Sequence, residues 1–147
     1  MPREFHFPAD VTWKGGRRTS ARVEGKQAIS IATPPEFRGT DPDTWSPEDF
    51  LTAAAASCLA VTIVSMAERK EVPLRSLDVH GDGVVGRRKD GRFGFVRLDQ
   101  AVRIGTDHGF EEQARTLVED AEAGCLVAVS LDVPVATSVE VDITAPV

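Results

Sequence analysis

One stretch limits what this chain can become more than any other. From Phe50 to Val64 it reads FLTAAAASCLAVTIV, with only threonine and serine interrupting the apolar run. Ser46 is a good N-cap just upstream, Pro47 suits the first helical position, and Glu48 and Asp49 suit the positive N-terminal end. The pattern predicts a helix over about 47–70, stopped before Pro73. A helix without a polar face is expected to be buried all round. The alanines from Ala53 to Ala56 let neighbouring backbones come close. Structure must then cover both flanks of this helix. The rest of one chain supplies one cover, and a second copy of the chain is expected to supply the other.

Around the helix the chain reads as strands and one further helix. Residues 5–14 and 19–32 alternate apolar and polar side chains, with turns at Lys14-Gly15-Gly16-Arg17 and Glu24-Gly25-Lys26, so a meander is expected over about 5–32. A loop rich in proline, glycine and aspartate follows over 33–45. Residues 74–86 and 92–104 read as a hairpin about Lys89-Asp90-Gly91, giving a strand pair over 74–104. Phe110, Ala114, Leu117, Val118 and Ala121 recur at helical spacing, predicting a second helix over 109–123. Ser138 to Ile143 alternates as a final strand. The expectation is one α+β domain spanning 1–147.

Composition excludes several classes. A net charge of −6 argues against nucleic acid as a partner, and the basic run Arg87-Arg88-Lys89 reads as a solvated hairpin tip. The N-terminus lacks the apolar core of a signal peptide. No stretch reads as the roughly 18 apolar residues of a membrane span, so a cytoplasmic protein with no membrane partner is expected. There thiols stay reduced. His6, His80 and His108 are scattered and no Cys-x-x-Cys occurs, so no metal site and no cofactor are expected. Gly81-Asp82-Gly83 and Gly105 read as bulge or turn glycines and not as a phosphate loop.

Two cysteines remain as candidates for chemistry. Cys58 lies inside the apolar helix, and Cys125 lies one turn beyond Ala121 on the second. A thiol reacts as its thiolate, so it needs a lowered pKa. Cys58 is too deep in its helix for the dipole to help, and apolar surroundings would raise its pKa. A reactive Cys58 therefore calls for a cation, best an arginine, and a buried arginine calls for a carboxylate. Glu48 could be that carboxylate. Its rise along the helix to Cys58 is about 15 Å, so an arginine from another segment would have to bridge them. From the residues alone, a buried inert Cys58 and an ordinary N-terminal Glu48 stay open as readings.

The segment from Gly39 to Ala67 resembles the OsmC/Ohr family of small peroxidases (osmotically inducible and organic hydroperoxide resistance proteins). The family carries Pro-Glu, an apolar step, an alanine-rich stretch and a cysteine ten residues after the Glu; Pro47-Glu48 and Ala53 to Cys58 reproduce this. Its second landmark is a cysteine closing the late helix before a Val-Pro-Val-type strand, matched by Cys125 and Val133-Pro134-Val135. Thr33-Pro34-Pro35-Glu36-Phe37 is also similar. The resemblance implies an OsmC-like intertwined homodimer, two central helices covered by antiparallel β-sheets, with active sites at the subunit interface. It implies a cysteine-based hydroperoxide reductase acting in the oxidative stress response. Cys58 would be the peroxidatic cysteine and Cys125 the resolving one. The partners would be an organic hydroperoxide substrate and a dithiol reductant of the lipoyl type. Glu48 would orient an arginine that holds the thiolate. That arginine matches Arg17 in the Ohr branch and Arg38 in the OsmC branch; the offset from Glu48 favours Arg38.

The chain also departs from the pattern. Leu126 stands where the family often has proline after the second cysteine, and Ala128 stands where serine is common. These departures place it in an OsmC-like branch and bear on how Cys125 approaches Cys58. The competing expectation is a non-catalytic OsmC-like dimer that binds a small apolar ligand in its interface pocket. Absence of a pKa-lowering arginine beside Cys58 would favour it.

Overall fold

The structure is a computed structural model and describes residues 2–144. The chain forms an α+β fold with two three-stranded sheets. It divides into two compact units, one ending at Phe50 and one starting at Leu51, described in turn.

In the first unit β1 (Asp10–Trp13), β2 (Arg18–Arg22) and β3 (Ile29–Ala32) form an antiparallel meander in the order β1-β2-β3. The strands are shorter than the alternation over 5–14 and 19–32 suggests; residues 5–9 lie outside them. Gly15 and Gly16 both take positive φ in the β1–β2 turn, and the Trp13 indole donates to the Gly16 carbonyl at 2.9 Å. After β3 a 3-10 turn over Pro35–Phe37 ends at Arg38, whose φ of 68° and ψ of 27° are left-handed. The Gly39 amide closes this turn onto the Pro34 carbonyl at 2.9 Å. A Cβ at Gly39 would lie 1.7 Å from the Thr33 carbonyl oxygen, so only glycine fits there.

The long helix, α1, spans Pro47–Arg69. Its start is a reciprocal cap. The Asp49 amide donates to Ser46 Oγ at 3.1 Å, and the Ser46 amide donates to Asp49 Oδ2 at 2.8 Å. By length and composition this helix could cross a membrane, contrary to the expectation that no stretch comes near one; a single such helix is weak support, since core helices pass the same test. Only Ala55, Leu59, Ile63 and Ala67 are buried along it, one stripe with a four-residue step. Val61 remains 61% exposed.

In the second unit that stripe packs on one core. Leu59, Ile63 and Ala67 meet Ala114, Leu117, Val118 and Ala121 of α2 (Glu111–Gly124), and Val102 and Ile104 of β5 (Phe93–Asp107). Burying each of the larger side chains contributes about 1.5–3 kcal/mol. β4 (Ser76–Arg87) pairs antiparallel with β5, with a bulge between Val84 and Val85. Gly91, at φ 86°, turns the hairpin. Gly83 is not a turn glycine: it lies inside β4, where a Cβ would stand 2.3 Å from Thr52 Oγ1 of α1 and 2.6 Å from the Phe95 ring. Gly105 likewise lies within β5, against Ser76. A short helix α3 (Leu126–Val129) follows α2, and β6 (Val135–Thr144) then pairs parallel with β5. This sheet is therefore mixed. The helical connection over the sheet is what a parallel return requires.

Candidate active site

The fold brings the two cysteines together. Cys58 is half-buried on α1, where it packs against the core cluster that includes Cys125. Cys125 is 1% exposed and sits at the junction of α2 and α3 with extended backbone, φ −69° and ψ 108°. Its thiol reaches the Ala55 carbonyl at 3.9 Å, one residue short of a full turn before Cys58. Both thiols are free.

Their surroundings push them in opposite directions. Burial raises the Cys58 thiol. Against it, the Val127 amide, the Cys125 thiol, the Leu126 amide and the Thr62 hydroxyl lie close enough to favour the Cys58 thiolate, and the net result lies below the ordinary thiol value. Cys125 lies above that value, chiefly through burial, with its bond to Cys58 and the Cys58 charge adding to the rise; the Ala128 and Val127 amides offset part of it. So Cys58 is the readier nucleophile, and Cys125 keeps its proton. Cys58 is also the more exposed of the two.

The expected arginine is not among the groups that lower the Cys58 thiol. Among the described residues no charged side chain contributes to the Cys58 shift; four hydrogen-bond donors do it. Two are backbone amides, which residue types do not advertise. Leu126 matters here: the proline common in the family has no N–H, whereas this chain supplies one. Thr62 is the side chain that sequence reasoning passed over. The signal was present, a hydroxyl four residues after the cysteine in an otherwise apolar helix.

The two candidate arginines also come together, in the first unit. Arg17 Nη1 donates to the Phe37 and Arg38 carbonyls at 2.9 and 2.8 Å, so its guanidinium holds the left-handed turn that carries Arg38. The Arg38 side chain makes no hydrogen bond or ion pair among the described residues. Glu48, on the first turn of α1, has a buried Oε2 without a hydrogen-bond partner among them. Its neighbours Ser46 and Asp49 serve the cap instead.

In the second unit a groove of about 460 Å³ is lined by Leu51, Phe93, Phe95, Leu131 and Val133 together with Arg88, Arg92 and Asp132. Phe95 lines this groove, and Phe37 belongs to the first unit. Arg88 is tied to the Asp132 carbonyl at 3.1 Å and to the Asp132 carboxylate at 3.5 Å. No group of three potential metal ligands occurs among the described residues.

Comparison with known proteins agrees with this fold. A family described as OsmC-like protein matches residues 39–140. The uncharacterized protein YmaD of Bacillus subtilis is 27% identical over 130 residues, 85% of each chain. Among solved structures, an OsmC-like protein of unknown function from Vibrio cholerae superposes with a TM-score of 0.85 at 19% identity, covering 93% of this chain and 100% of its own. An organic hydroperoxide resistance protein from Elizabethkingia anophelis gives 0.78 at 19% identity, over 98% and 100%. The family match takes in Glu48, Cys58 and Cys125 and stops short of Arg17 and Arg38. The chain belongs to the OsmC-like protein family.

Proposed function

We propose that this protein is a thiol-dependent peroxidase that reduces organic hydroperoxides. The observation that carries the reading is the thiol pair, with Cys58 held below the ordinary thiol pKa and its hydrogen-bonded neighbour Cys125 held above it. The Cys58 thiolate attacks the O–O bond, takes the distal oxygen as a sulfenic acid and releases the alcohol. Cys125 then attacks the sulfenic sulfur, water leaves, and a disulfide remains. A dithiol reductant, of the lipoyl type by family analogy, returns both thiols by exchange.

Several features support the finer assignments. The unpartnered Glu48 Oε2 is open to a guanidinium, since a buried carboxylate oxygen without a partner is costly. Arg38 is the better candidate to fill it, because Arg17 is already engaged with two carbonyls. The apolar, partly exposed flank of α1 favours a homodimer, with the second copy covering Val61 and its neighbours. A reduced thiol pair suits a cytoplasmic setting.

One observation favours the second reading, a non-catalytic dimer that binds a small apolar ligand: no cation contributes to the Cys58 shift. Stopped-flow oxidation of the reduced protein separates the two. An alkyl hydroperoxide should oxidise it rapidly, and faster than hydrogen peroxide does. Equal single-turnover rates for wild type and Cys58→Ser would end the peroxidase reading.

A further inference from the structure

The Thr62 hydroxyl has one proton and two acceptors within reach, both belonging to Cys58. It donates to the Cys58 carbonyl at 2.7 Å. It lies one helical turn after Cys58, and a helical side chain leans toward the N-terminus, back over the turn that carries the Cys58 sulfur. We propose that Thr62 is a further catalytic donor of this site: its hydroxyl turns from the Cys58 carbonyl to the Cys58 sulfur when that thiol ionises, and so holds the attacking thiolate.

Three physical points carry this. A hydroxyl donates one hydrogen bond at a time, so the two acceptors compete for it. The carbonyl loses little when the hydroxyl turns away, because both residues lie within α1 and the Thr62 amide keeps bonding that carbonyl in the i to i−4 ladder. The sulfur gains much, because a bond to a charged acceptor is roughly twice as strong as one to a neutral acceptor. The contest therefore reverses on ionisation. Hydroxyl bonds to the carbonyl four residues back are common in helices. What sets this one apart is that the residue four back is the reactive cysteine. The Leu126 and Val127 amides also lie at the sulfur, and among the described residues the titratable group beside it is the Cys125 thiol.

The proposal rests on the peroxidase reading only for its use, since the hydroxyl turns on ionisation of Cys58 whatever electrophile arrives. The test is the pH profile of iodoacetamide alkylation at Cys58, located by peptide mass spectrometry, in wild type, Thr62→Val and Thr62→Ser. Thr62→Val should move the profile to higher pH and slow alkylation near pH 7 by about three- to tenfold. Thr62→Ser keeps the hydroxyl and should follow wild type. A Thr62→Val profile coincident with wild type overturns the proposal. So does an equal shift in Thr62→Ser, which would mark a packing role for the lost methyl. If Thr62→Val lacks the native circular dichroism spectrum, Thr62→Ala against Thr62→Ser makes the same comparison. A shifted profile in a protein that consumes no peroxide would keep this proposal and remove the peroxidase reading. Full peroxide consumption with an unshifted profile would do the reverse.

Discussion

Leu126→Pro removes a single atom's function from the Cys58 site, and its effect can be worked through. The backbone at Cys125 is already extended, as a residue before proline must be, and Leu126 is the first residue of α3, where proline is tolerated. The Leu126 side chain is 72% exposed, so little packing is lost. What disappears is the N–H that donates to the Cys58 sulfur. A hydrogen bond to a charged group contributes about 1.5–3 kcal/mol when buried. Cys58 is only half-buried and water replaces part of it, so about 1–1.5 kcal/mol is reasonable, or about one pKa unit upward. Below the wild-type pKa the thiolate population then falls about tenfold. A more basic thiolate is intrinsically more nucleophilic, and a Brønsted slope of about 0.4–0.5 returns a factor of about three. Alkylation of Cys58 by iodoacetamide should therefore be about threefold slower at low pH and about threefold faster once both proteins are ionised. That crossing of the two pH profiles is the signature. Leu126→Ala, which keeps the N–H, should follow wild type. Superimposable profiles for Leu126→Pro and wild type, or an equal shift in Leu126→Ala, would refute the amide account.

Other perturbations test other parts. Glu48→Gln should slow oxidation by an alkyl hydroperoxide while leaving the denaturation midpoint nearly unchanged, because Ser46 and Asp49 still cap α1. Arg38→Ala should slow that oxidation as Glu48→Gln does, as the partner proposed for Glu48; if Arg17→Ala slows it and Arg38→Ala does not, the assignment of the two arginines is reversed. Leu59→Ala opens a cavity in the core beneath α2 and should cost about 2–5 kcal/mol in urea denaturation.

Much of this was legible in the sequence, and the remainder has physical reasons for being hidden. The start of α1 was readable because capping is local: Ser46, Pro47 and Asp49 are adjacent and each has one common use there. The run from Phe50 to Val64 announced a helix in need of cover. Cys125 was placed on the extension of the buried α2 face, and that face does carry it to α1. Strand direction was not readable, because apolar alternation in Val135–Thr144 is the same for parallel and antiparallel pairing. The left-handed backbone at Arg38 had no glycine to signal it, although Gly39 marked the turn. The largest gap concerned how Cys58 is activated. Burial does raise its pKa, as residue types suggest. Two of the four opposing donors are the backbone amides of Leu126 and Val127, and no residue letter encodes where an amide points.

The central claim is that Cys58 and Cys125 form one redox pair, and thiol accounting tests it most directly. Reduced protein treated with one equivalent of an alkyl hydroperoxide should lose both thiols, gain a Cys58–Cys125 cross-link in its peptide map, and recover both thiols with a dithiol reductant. Cys125→Ser should stop at a Cys58 sulfenic acid that dimedone traps. Two titratable thiols remaining in wild type after that treatment, or loss of thiols with no link between Cys58 and Cys125, would contradict the account.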